Sequence, residues 1–253
     1  MKRPGGDFDY EAHGAGYAAI RRPDPRIEAL VHAALGDART VLNVGAGAGS
    51  YEPADRYVIA IEPAAAMRAQ RGSARVPAVA GFAEALPLDD GAVDAAMAMM
   101  TVHQWSDLHL GLAEMRRVAR GPVVVMAGDG DRLPRYWLND YAPELIAAER
   151  RRYPPIGQIA ERIGARAEVH AVPIHLDCTD GFTEAFYGRP ERLLDPAVRR
   201  AQSSWAFMPP GAEALFVETL SADLESGRWD ARHGHLRTQP TFESSMRLIV
   251  GWP

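Results

Sequence analysis

Three glycines at alternate positions follow the first strong strand signal of this chain. The apolar run Thr40 to Val44 is typical of a buried strand, and Gly45, Gly47 and Gly49 come directly after it. Glycine places no side chain between the backbone and a ligand, so the amide groups of such a turn can bind the polar groups of a cofactor. By itself, the pattern also fits a plain tight turn.

A carboxylate ends the next predicted strand. The run 57–61 is apolar, and Glu62 follows it. Because the carboxyl ends of neighbouring parallel strands meet at one edge of a sheet, Glu62 can accept hydrogen bonds from both hydroxyls of a ribose lying on the glycine turn. The turn and the acid together predict a ribose-containing cofactor, whereas an acid alone also fits a solvated turn.

Strands and helices alternate around these residues. Helices are predicted at 24–35, 64–71 and 108–118, and strands at 40–44, 57–61, 76–80, 93–99, 122–127, 167–174 and 245–251. Such alternation requires a mostly parallel sheet with helices on both faces. We therefore predict an α/β, Rossmann-like, doubly wound, mostly parallel seven-stranded sheet in a single domain over residues 1–253, with 25–127 as the cofactor-binding core.

A long insertion separates the last two predicted strands. It spans residues 175–244 and contains two helical stretches, near 195–207 and 211–226. A structureless segment of this length is improbable inside a compact domain. We predict that it forms a helical lid that covers the substrate.

The glycine spacing distinguishes two classes of ribose-containing cofactor. The dinucleotide fingerprint G-x-G-x-x-G requires glycine at position 50, where this chain has Ser50. The loop resembles instead that of the class I S-adenosylmethionine-dependent methyltransferases, particularly the bacterial small-molecule (methyltransferase type 11-like) group. Four segments within residues 38–127 carry the resemblance in the family's order: Val41 to Gly49, Glu62-Pro63 with Met67, Gly81 to Leu88 with Asp94, and Met99 to Trp105.

The resemblance implies S-adenosylmethionine as the cofactor and assigns a set of binding residues. These are Tyr17, Asn43, Gly45, Ala46, Gly47, Gly49, Glu62, Pro63, Met67, Phe82, Ala83, Glu84, Met99 and Met100. The chain departs from the family's pattern at Asn43 and Phe82, where the family usually has Asp. Asn43 brings no charge toward the cofactor's ammonium group, and Phe82 replaces a polar contact to adenine with a ring that can stack on the base. The departures affect the expected affinity for the cofactor more than its identity.

Methyl transfer from a sulfonium requires positioning more than acid–base chemistry. The acceptor must lie in line with the methyl group, and a base helps only if the acceptor carries a proton. We predict His103 as the catalytic residue, because it follows the fourth predicted strand and imidazole titrates near neutral pH. Packing beneath the cofactor is its alternative role. The acceptor contacts predicted are Tyr10, Trp105, Phe186, Tyr187 and Trp205.

The composition of the chain restricts the kinds of partner that it is expected to bind. The net charge of −5 argues against broad attraction to nucleic acid, so a small-molecule acceptor is expected. The basic run 150–152 is expected to be a solvated helix end. The single cysteine, Cys178, excludes an internal disulfide, and no Cys/His spacing indicates a metal. Without a long apolar run or a signal-like start, we expect a cytoplasmic protein that does not bind membranes.

These features predict S-adenosylmethionine-dependent methyl transfer to a small molecule, with oxygen, nitrogen and carbon acceptors all open. A nicotinamide-dependent oxidoreductase is disfavoured by Ser50 and by the lack of a Tyr-x-x-x-Lys pair. A noncatalytic S-adenosylmethionine-binding protein remains an alternative, because fold does not fix function. A methyltransferase for RNA or protein is disfavoured by the acidic balance. The sequence leaves the oligomeric state open.

Overall fold

In the computed structural model, which describes residues 6–14 and 16–253, the chain folds around one six-stranded β-sheet with the strand order β2-β1-β3-β4-β6-β5. The strands are β1 (Thr40–Val44), β2 (Tyr57–Ile61), β3 (Ala95–Met99), β4 (Val123–Gly128), β5 (Arg166–His175) and β6 (Thr241–Trp252). β1 to β4 run parallel, and β6 lies antiparallel between β4 and β5. The α/β, mostly parallel architecture predicted from the alternation is confirmed.

Ten α-helices accompany the sheet in the described residues. They are α1 (Tyr10–His13), α2 (Tyr17–Ile20), α3 (Pro25–Ala34), α4 (Ala65–Arg68), α5 (Leu108–Val118), α6 (Pro143–Arg152), α7 (Ile156–Ile163), α8 (Pro196–Arg200), α9 (Ala212–Glu225) and α10 (Arg228–His233). Capping residues set the start of the longer ones. Asp24 accepts from the Arg26 backbone N–H at the start of α3, and Asp107 accepts from that of Leu110 at the start of α5.

The two faces of the sheet carry separate hydrophobic cores. Because successive side chains of a strand point to opposite faces, neighbouring residues of β1 enter different cores. Val41 packs with Val31 of α3 and with the segment between β5 and β6. Leu42 packs on the other face with Leu112 of α5 and Ile159 of α7. Both faces of the central strands are therefore covered, which explains their largely apolar sequences.

The prediction of a third strand at 76–80 is wrong. Residues 76–80 contribute only a bridge between Val79 and Ile61 beside β2, so the sheet has six strands within the described residues rather than seven. Val76 and Val79 are exposed, and Pro77 has no N–H to donate. With no apolar face to bury, the segment gains little from a full strand ladder.

The segment between β5 and β6 is a packed layer of short helices. It contains α8, α9, α10 and four 3₁₀ turns: Thr183–Phe186, Pro190–Leu194, Ser203–Phe207 and Gly234–Arg237. Its large side chains, such as Phe216 and Trp229, enter the same core as Val41 of the sheet. That the segment acts as a lid over the acceptor stays a prediction.

Within residues 6–14 and 16–253, no helix has the length and apolarity that crossing a bilayer requires. In the same residues, no three or more His, Cys, Asp or Glu side chains are grouped in a way that could hold a metal ion.

Candidate cofactor and acceptor site

A cleft of about 590 Å³ opens at the carboxyl ends of β1, β2 and β3. The order of the strands reverses between β1 and β3, and ligands of open α/β sheets bind at such a switch point. The predicted cofactor residues all line this cleft except Gly49, which lies next to Glu52 and two arginines behind the loop. Tyr10 and Trp105, predicted as acceptor contacts, line it as well.

The glycine loop requires glycine for a steric reason. Gly45 has a φ of 66°, in the left-handed region, and a Cβ there would collide with the Thr101 side chain after β3. Gly47 has a φ of 50° and donates its N–H to Glu62 Oε2 at 2.8 Å. The loop therefore holds its backbone against the floor of the cleft.

Glu62 is a buried acceptor at the end of β2. Its Oε1 accepts the Ala64 N–H at 2.9 Å, and its Oε2 accepts that of Gly47. Burial raises the pKa of Glu62, while these two backbone hydrogen bonds and the nearby Arg68 and Arg71 oppose the rise. Each carboxylate oxygen retains a lone pair, so Glu62 can still bind a ribose diol.

Asn43 offers a buried carbonyl oxygen to the cleft. Its Nδ2 donates to Glu52 Oε1 at 2.9 Å, and Glu52 forms an ion pair with Arg71 at 2.7 Å. Asn43 Oδ1 is buried and has no hydrogen-bond partner among the described residues. A buried unpaired acceptor that lines a cleft fits a ligand donor such as an ammonium group. In the family, an acidic residue usually occupies this position. Here the carboxylate is that of Glu52, which lies behind Asn43 and is neutralised by Arg71.

The backbone is strained where β3 ends. Met100 has a φ of 53°, which costs a non-glycine residue about 1 kcal/mol or more. Its N–H donates to the Met126 carbonyl at 2.8 Å, and the chain then turns into the 3₁₀ segment Val102–Gln104. Such strain is concentrated at functional sites. Here it directs Met99, Met100 and Gln104 toward the cleft.

The far end of the cleft carries the predicted adenine contacts. Phe82 is 41% exposed at this end, where its ring is free to stack on a base. Glu84 Oε1 accepts the backbone N–H groups of Ser106 at 2.7 Å and Asp107 at 3.1 Å, just before α5. One oxygen of Glu84 therefore fixes the segment that carries Trp105 against the cleft.

An N-terminal strap, residues 6–14, crosses the opening of the cleft. Sequence reasoning found Tyr10 here but missed Asp7, Phe8 and Glu11, which also line the cleft. Glu11 accepts from the N–H groups of Ala65 and Ala66, while Asp7 pairs with Arg152 at 2.7 Å. The aromatic residues Phe8 and Tyr10, in contact at 4.7 Å between ring centroids, are the only local sequence signal of this strap.

A second cavity, of about 60 Å³, adjoins the cleft and shares Tyr10, Tyr17, Met100 and Gln104 with it. His103 lines this second cavity and not the larger cleft. Its ring meets Tyr153 edge to face at 5.2 Å between centroids. The structure thus places His103 in the wall of the second cavity, next to Gln104, which lines both spaces.

Two buried glutamates line the second cavity. Glu184 accepts the Ser245 N–H at 2.9 Å and the Ser245 hydroxyl. Burial raises the pKa of Glu184 to about 7, and the neighbouring Glu149 contributes to the rise while Ser245 opposes it. Burial likewise raises the pKa of Glu149, while the neighbouring Ser204 and the positive charge of Arg152 oppose the rise. No local sequence pattern indicated either acid.

Several predicted positions need correction. Phe186, Tyr187 and Trp205 are buried in the hydrophobic core and line neither cavity, because the insertion must bury its own large apolar side chains. Tyr187, for example, stacks on Phe242 at 5.1 Å. Arg152, expected to be solvated, has a side chain only 8% exposed and reaches Asp7 across 145 positions of sequence.

The comparisons with known proteins agree with this geometry. A family model described as a methyltransferase domain matches residues 42–126. A proposed methyltransferase of an antibiotic biosynthesis pathway from Anabaena variabilis has a TM-score of 0.84 and 29% identity, over 91% of this chain and 98% of that chain. None of the curated protein sequences matches this chain.

Two further solved structures share the fold at low identity. An S-adenosylmethionine-dependent methyltransferase from Thermotoga maritima, proposed to be a histamine N-methyltransferase, has a TM-score of 0.51 and 16% identity, over 96% of this chain and 91% of that chain. The 4+2 cyclase SpnF has a TM-score of 0.50 and 17% identity, over 95% and 89%. At these identities the likeness concerns the fold alone.

Proposed function

Because this chain is a class I S-adenosylmethionine-dependent methyltransferase, we propose that it methylates a small organic molecule whose reacting group enters the second cavity. The observation that carries the proposal is the adjacency of the two spaces. A cleft of about 590 Å³ with the predicted cofactor residues shares four side chains with a smaller cavity of about 60 Å³. A cavity of that size suits one functional group rather than a macromolecular segment.

The residues of the cleft fit S-adenosylmethionine, the cofactor of the family. Glu62 would hold the ribose hydroxyls, and the unpaired Asn43 Oδ1 would accept a hydrogen bond from the ammonium group. Phe82 would stack on adenine. When bound, the cofactor supplies a methyl group on a positively charged sulfur, which a nucleophile can attack in line.

The protein's own contribution is to bind the acceptor, orient it and exclude water. The strap of residues 6–14 closes one side of the cleft, and the segment 175–244 supplies Phe182, Thr183, Glu184 and Gln202 to the wall of the second cavity. We propose that His103 acts on the acceptor, because it lines the cavity on that side. We propose on the same ground that the insertion 175–244 covers the substrate.

A cofactor-consumption assay over a metabolite library tests this function. We expect S-adenosylmethionine to be consumed with one acceptor class and mass spectrometry to find a product heavier by one methyl group. S-adenosylhomocysteine should bind in calorimetry, and NAD should not. Tight NAD binding, without competition from the adenosyl ligand, would contradict the proposal.

A noncatalytic or differently catalytic role is the second candidate. The 4+2 cyclase SpnF has the same fold at a TM-score of 0.50, so this architecture also occurs in a protein with another described reaction. Binding of S-adenosylhomocysteine without methylation of any library member would favour this alternative.

A further inference from the structure

Two glutamates and two arginines line the second cavity, and among the described residues only the arginines form ion pairs. Glu149 is 8% exposed and Glu184 is 6% exposed, and neither forms an ion pair within residues 6–14 and 16–253. Two arginines also line the cavity, but each has its own carboxylate. Arg21 binds Asp180 at 2.6 Å, and Arg152 binds Asp7 at 2.7 Å. In the described part of the chain, neither glutamate therefore has a cationic side chain at ion-pair distance, and Arg21 and Arg152 act on Glu149 only at longer range.

A buried carboxylate needs hydrogen-bond donors or a cation. Ser245 gives Glu184 two donors through its N–H and hydroxyl, whereas Glu149 has only the buried Ser204 hydroxyl nearby, which makes no hydrogen bond within the described residues. Both serines are neutral and do not compensate a negative charge, and burial accordingly raises the pKa of both acids. A ligand that brings a positive charge would supply what the walls lack.

The remaining walls favour a cation over an anion or a neutral hydroxyl. Tyr10, Tyr17, Tyr153 and Phe182 line the cavity, and the rings of Tyr17 and Phe182 already hold one cation, that of Arg21, at 5.4 and 5.8 Å from their centroids. Ionised carboxylates only accept hydrogen bonds, and an ammonium group offers three N–H donors where a hydroxyl offers one. A carboxylate ligand would add a third negative charge beside Glu149 and Glu184. The positive charge and the three N–H donors of an ammonium group thus both suit this cavity.

We propose that the second cavity binds the amino group of the acceptor, and that the reaction is N-methylation with Glu149 holding the ammonium and Glu184 taking its proton. The inference rests on the proposed function and specifies its substrate class. Glu184 suits the proton transfer because its pKa, raised by burial to about 7, makes it a stronger base than an ordinary carboxylate at neutral pH.

The proton and electron pair can be followed through the step. One N–H proton of the ammonium passes to the Glu184 carboxylate, which leaves a neutral amine with a lone pair. The amine nitrogen then bonds to the methyl carbon while the carbon–sulfur bond breaks, and the electron pair of that bond stays on sulfur as a neutral thioether. The product is the N-methylammonium ion, and the proton on Glu184 returns to solvent.

Binding to the complex with S-adenosylhomocysteine tests the inference without requiring turnover. Small primary amines, from ethylamine to 2-phenylethylamine, are compared by calorimetry with the alcohol and the carboxylate of the same carbon skeleton. We expect amines to bind at least about tenfold more tightly than either analogue, since hydrogen bonds between charged groups are the stronger ones. Glu149→Gln and Glu184→Gln should each reduce amine affinity about tenfold or more.

Matched variants separate this effect from damage to the fold. Glu218→Gln changes an exposed glutamate of α9 that lines neither cavity, so amine affinity should be unchanged. In all three variants the affinity for S-adenosylhomocysteine should stay within about twofold, because neither acid lines the cofactor cleft. If one acid variant does not fold, the other carries the test.

The outcomes distinguish this inference from the function on which it rests. Absence of amine binding to the S-adenosylhomocysteine complex, equal binding of amines and alcohols, or full amine affinity in both acid variants would overturn it. Methyl transfer only to oxygen or carbon acceptors would overturn it alone and leave the proposed function standing. Failure of S-adenosylhomocysteine to bind would overturn both.

Discussion

At the scale of single residues, the site is organised by acids whose neighbours differ. Glu62 accepts two backbone N–H groups, Glu52 is paired with Arg71, and Glu184 has only the neutral donors of Ser245. The first holds the glycine loop, the second supports Asn43 from behind, and the third is left available to a ligand. The same side-chain chemistry thus serves three roles, which the neighbours decide.

Glu62→Ala should weaken the binding of S-adenosylhomocysteine by about 2 to 4 kcal/mol. The change removes the charge-assisted contacts to the ribose and also leaves the Gly47 N–H without its acceptor. Calorimetry on the variant and on Glu218→Ala, an exposed control, measures the effect. An unchanged dissociation constant would show that Glu62 lies outside the site.

His103→Ala should lower turnover by roughly 100-fold and leave cofactor affinity intact. The reason is the position of His103 in the second cavity, beside Tyr153 and away from the larger cleft. Steady-state kinetics and calorimetry are measured on the same preparation, with folding checked by circular dichroism. Loss of cofactor binding in proportion to turnover would assign His103 to the wall of the cofactor site instead.

Glu184→Gln should make stability less dependent on pH. Burial raises the pKa of Glu184 from 4.5 to about 7, so between these values the folded state binds more protons than the unfolded state. The neutral acid's contribution is therefore fully present below about pH 4.5 and is lost as pH rises through about 7.

The difference in unfolding free energy between the wild type and Glu184→Gln reports on the titration of Glu184. We expect the wild type to lose on the order of 1 to 3 kcal/mol relative to Glu184→Gln between about pH 5 and pH 8. Glu62, whose pKa burial also raises, titrates in both proteins and cancels in the comparison, whereas the neighbouring Glu149 is coupled to Glu184, so the difference reports on the pair. Chemical unfolding across this range supplies the measurement, and parallel stability curves for the two proteins would contradict the assignment.

At the scale of elements, two segments border the site, residues 6–14 and the insertion 175–244, and they are attached to the fold by different kinds of contact. The strap of residues 6–14 is held by a few polar contacts, chiefly those of Glu11 and Asp7. The insertion buries Phe216, Leu220 and Trp229 in the main core. Segments with few buried apolar contacts open at low free-energy cost, so the strap is the element best suited to admit the cofactor.

Hydrogen exchange should detect this contrast. Adding S-adenosylhomocysteine should slow exchange in residues 6–14 and in the cavity wall 182–184, and should leave the core helices α9 and α10 nearly unchanged. The sequence alone predicts a mobile lid over the whole of 175–244, and slowing throughout that range would support it. Unchanged exchange in residues 6–14 would contradict the role given to the strap.

At the scale of the whole molecule, one hydrophobic core joins parts that are distant in sequence. It unites Val31 of α3, Val124 of β4 and Trp229 of α10 on one face of the sheet. Because the insertion shares this core, it has no separate interior on which to fold. We therefore propose that residues 1–253 form a single cooperative domain.

Unfolding should accordingly proceed in one transition. Calorimetry and tryptophan fluorescence should report the same midpoint, since Trp105 lies beside the cleft and Trp229 in the insertion. Trp229→Phe removes one of the insertion's two tryptophans, leaving Trp205 to report on it, and should lower the midpoint without adding a second transition. Two separate transitions would show that the insertion unfolds on its own.

Local sequence determined the parallel core and most of the cofactor cleft. Apolar runs that end in glycine or acid predict buried strands and the residues at their carboxyl ends, and parallel topology brings those ends together whatever the details of packing. Gly45, Glu62 and Met99 are therefore predictable from their own segments, and the fold class is confirmed. The failed strand at 76–80 lacked a buried face, which its short apolar run did not reveal.

Only the tertiary structure decided the second cavity. Glu149 comes from α6, Glu184 from a 3₁₀ turn of the insertion and Ser245 from β6, and no periodicity links such distant segments. Their convergence depends on how the insertion packs against the sheet, which is a property of long-range burial rather than of local propensity. Long-range packing also explains why Arg152 is buried against Asp7 and why Trp205 lies in the core. The environment of each side chain depends on its neighbours in space, which its own sequence segment does not specify.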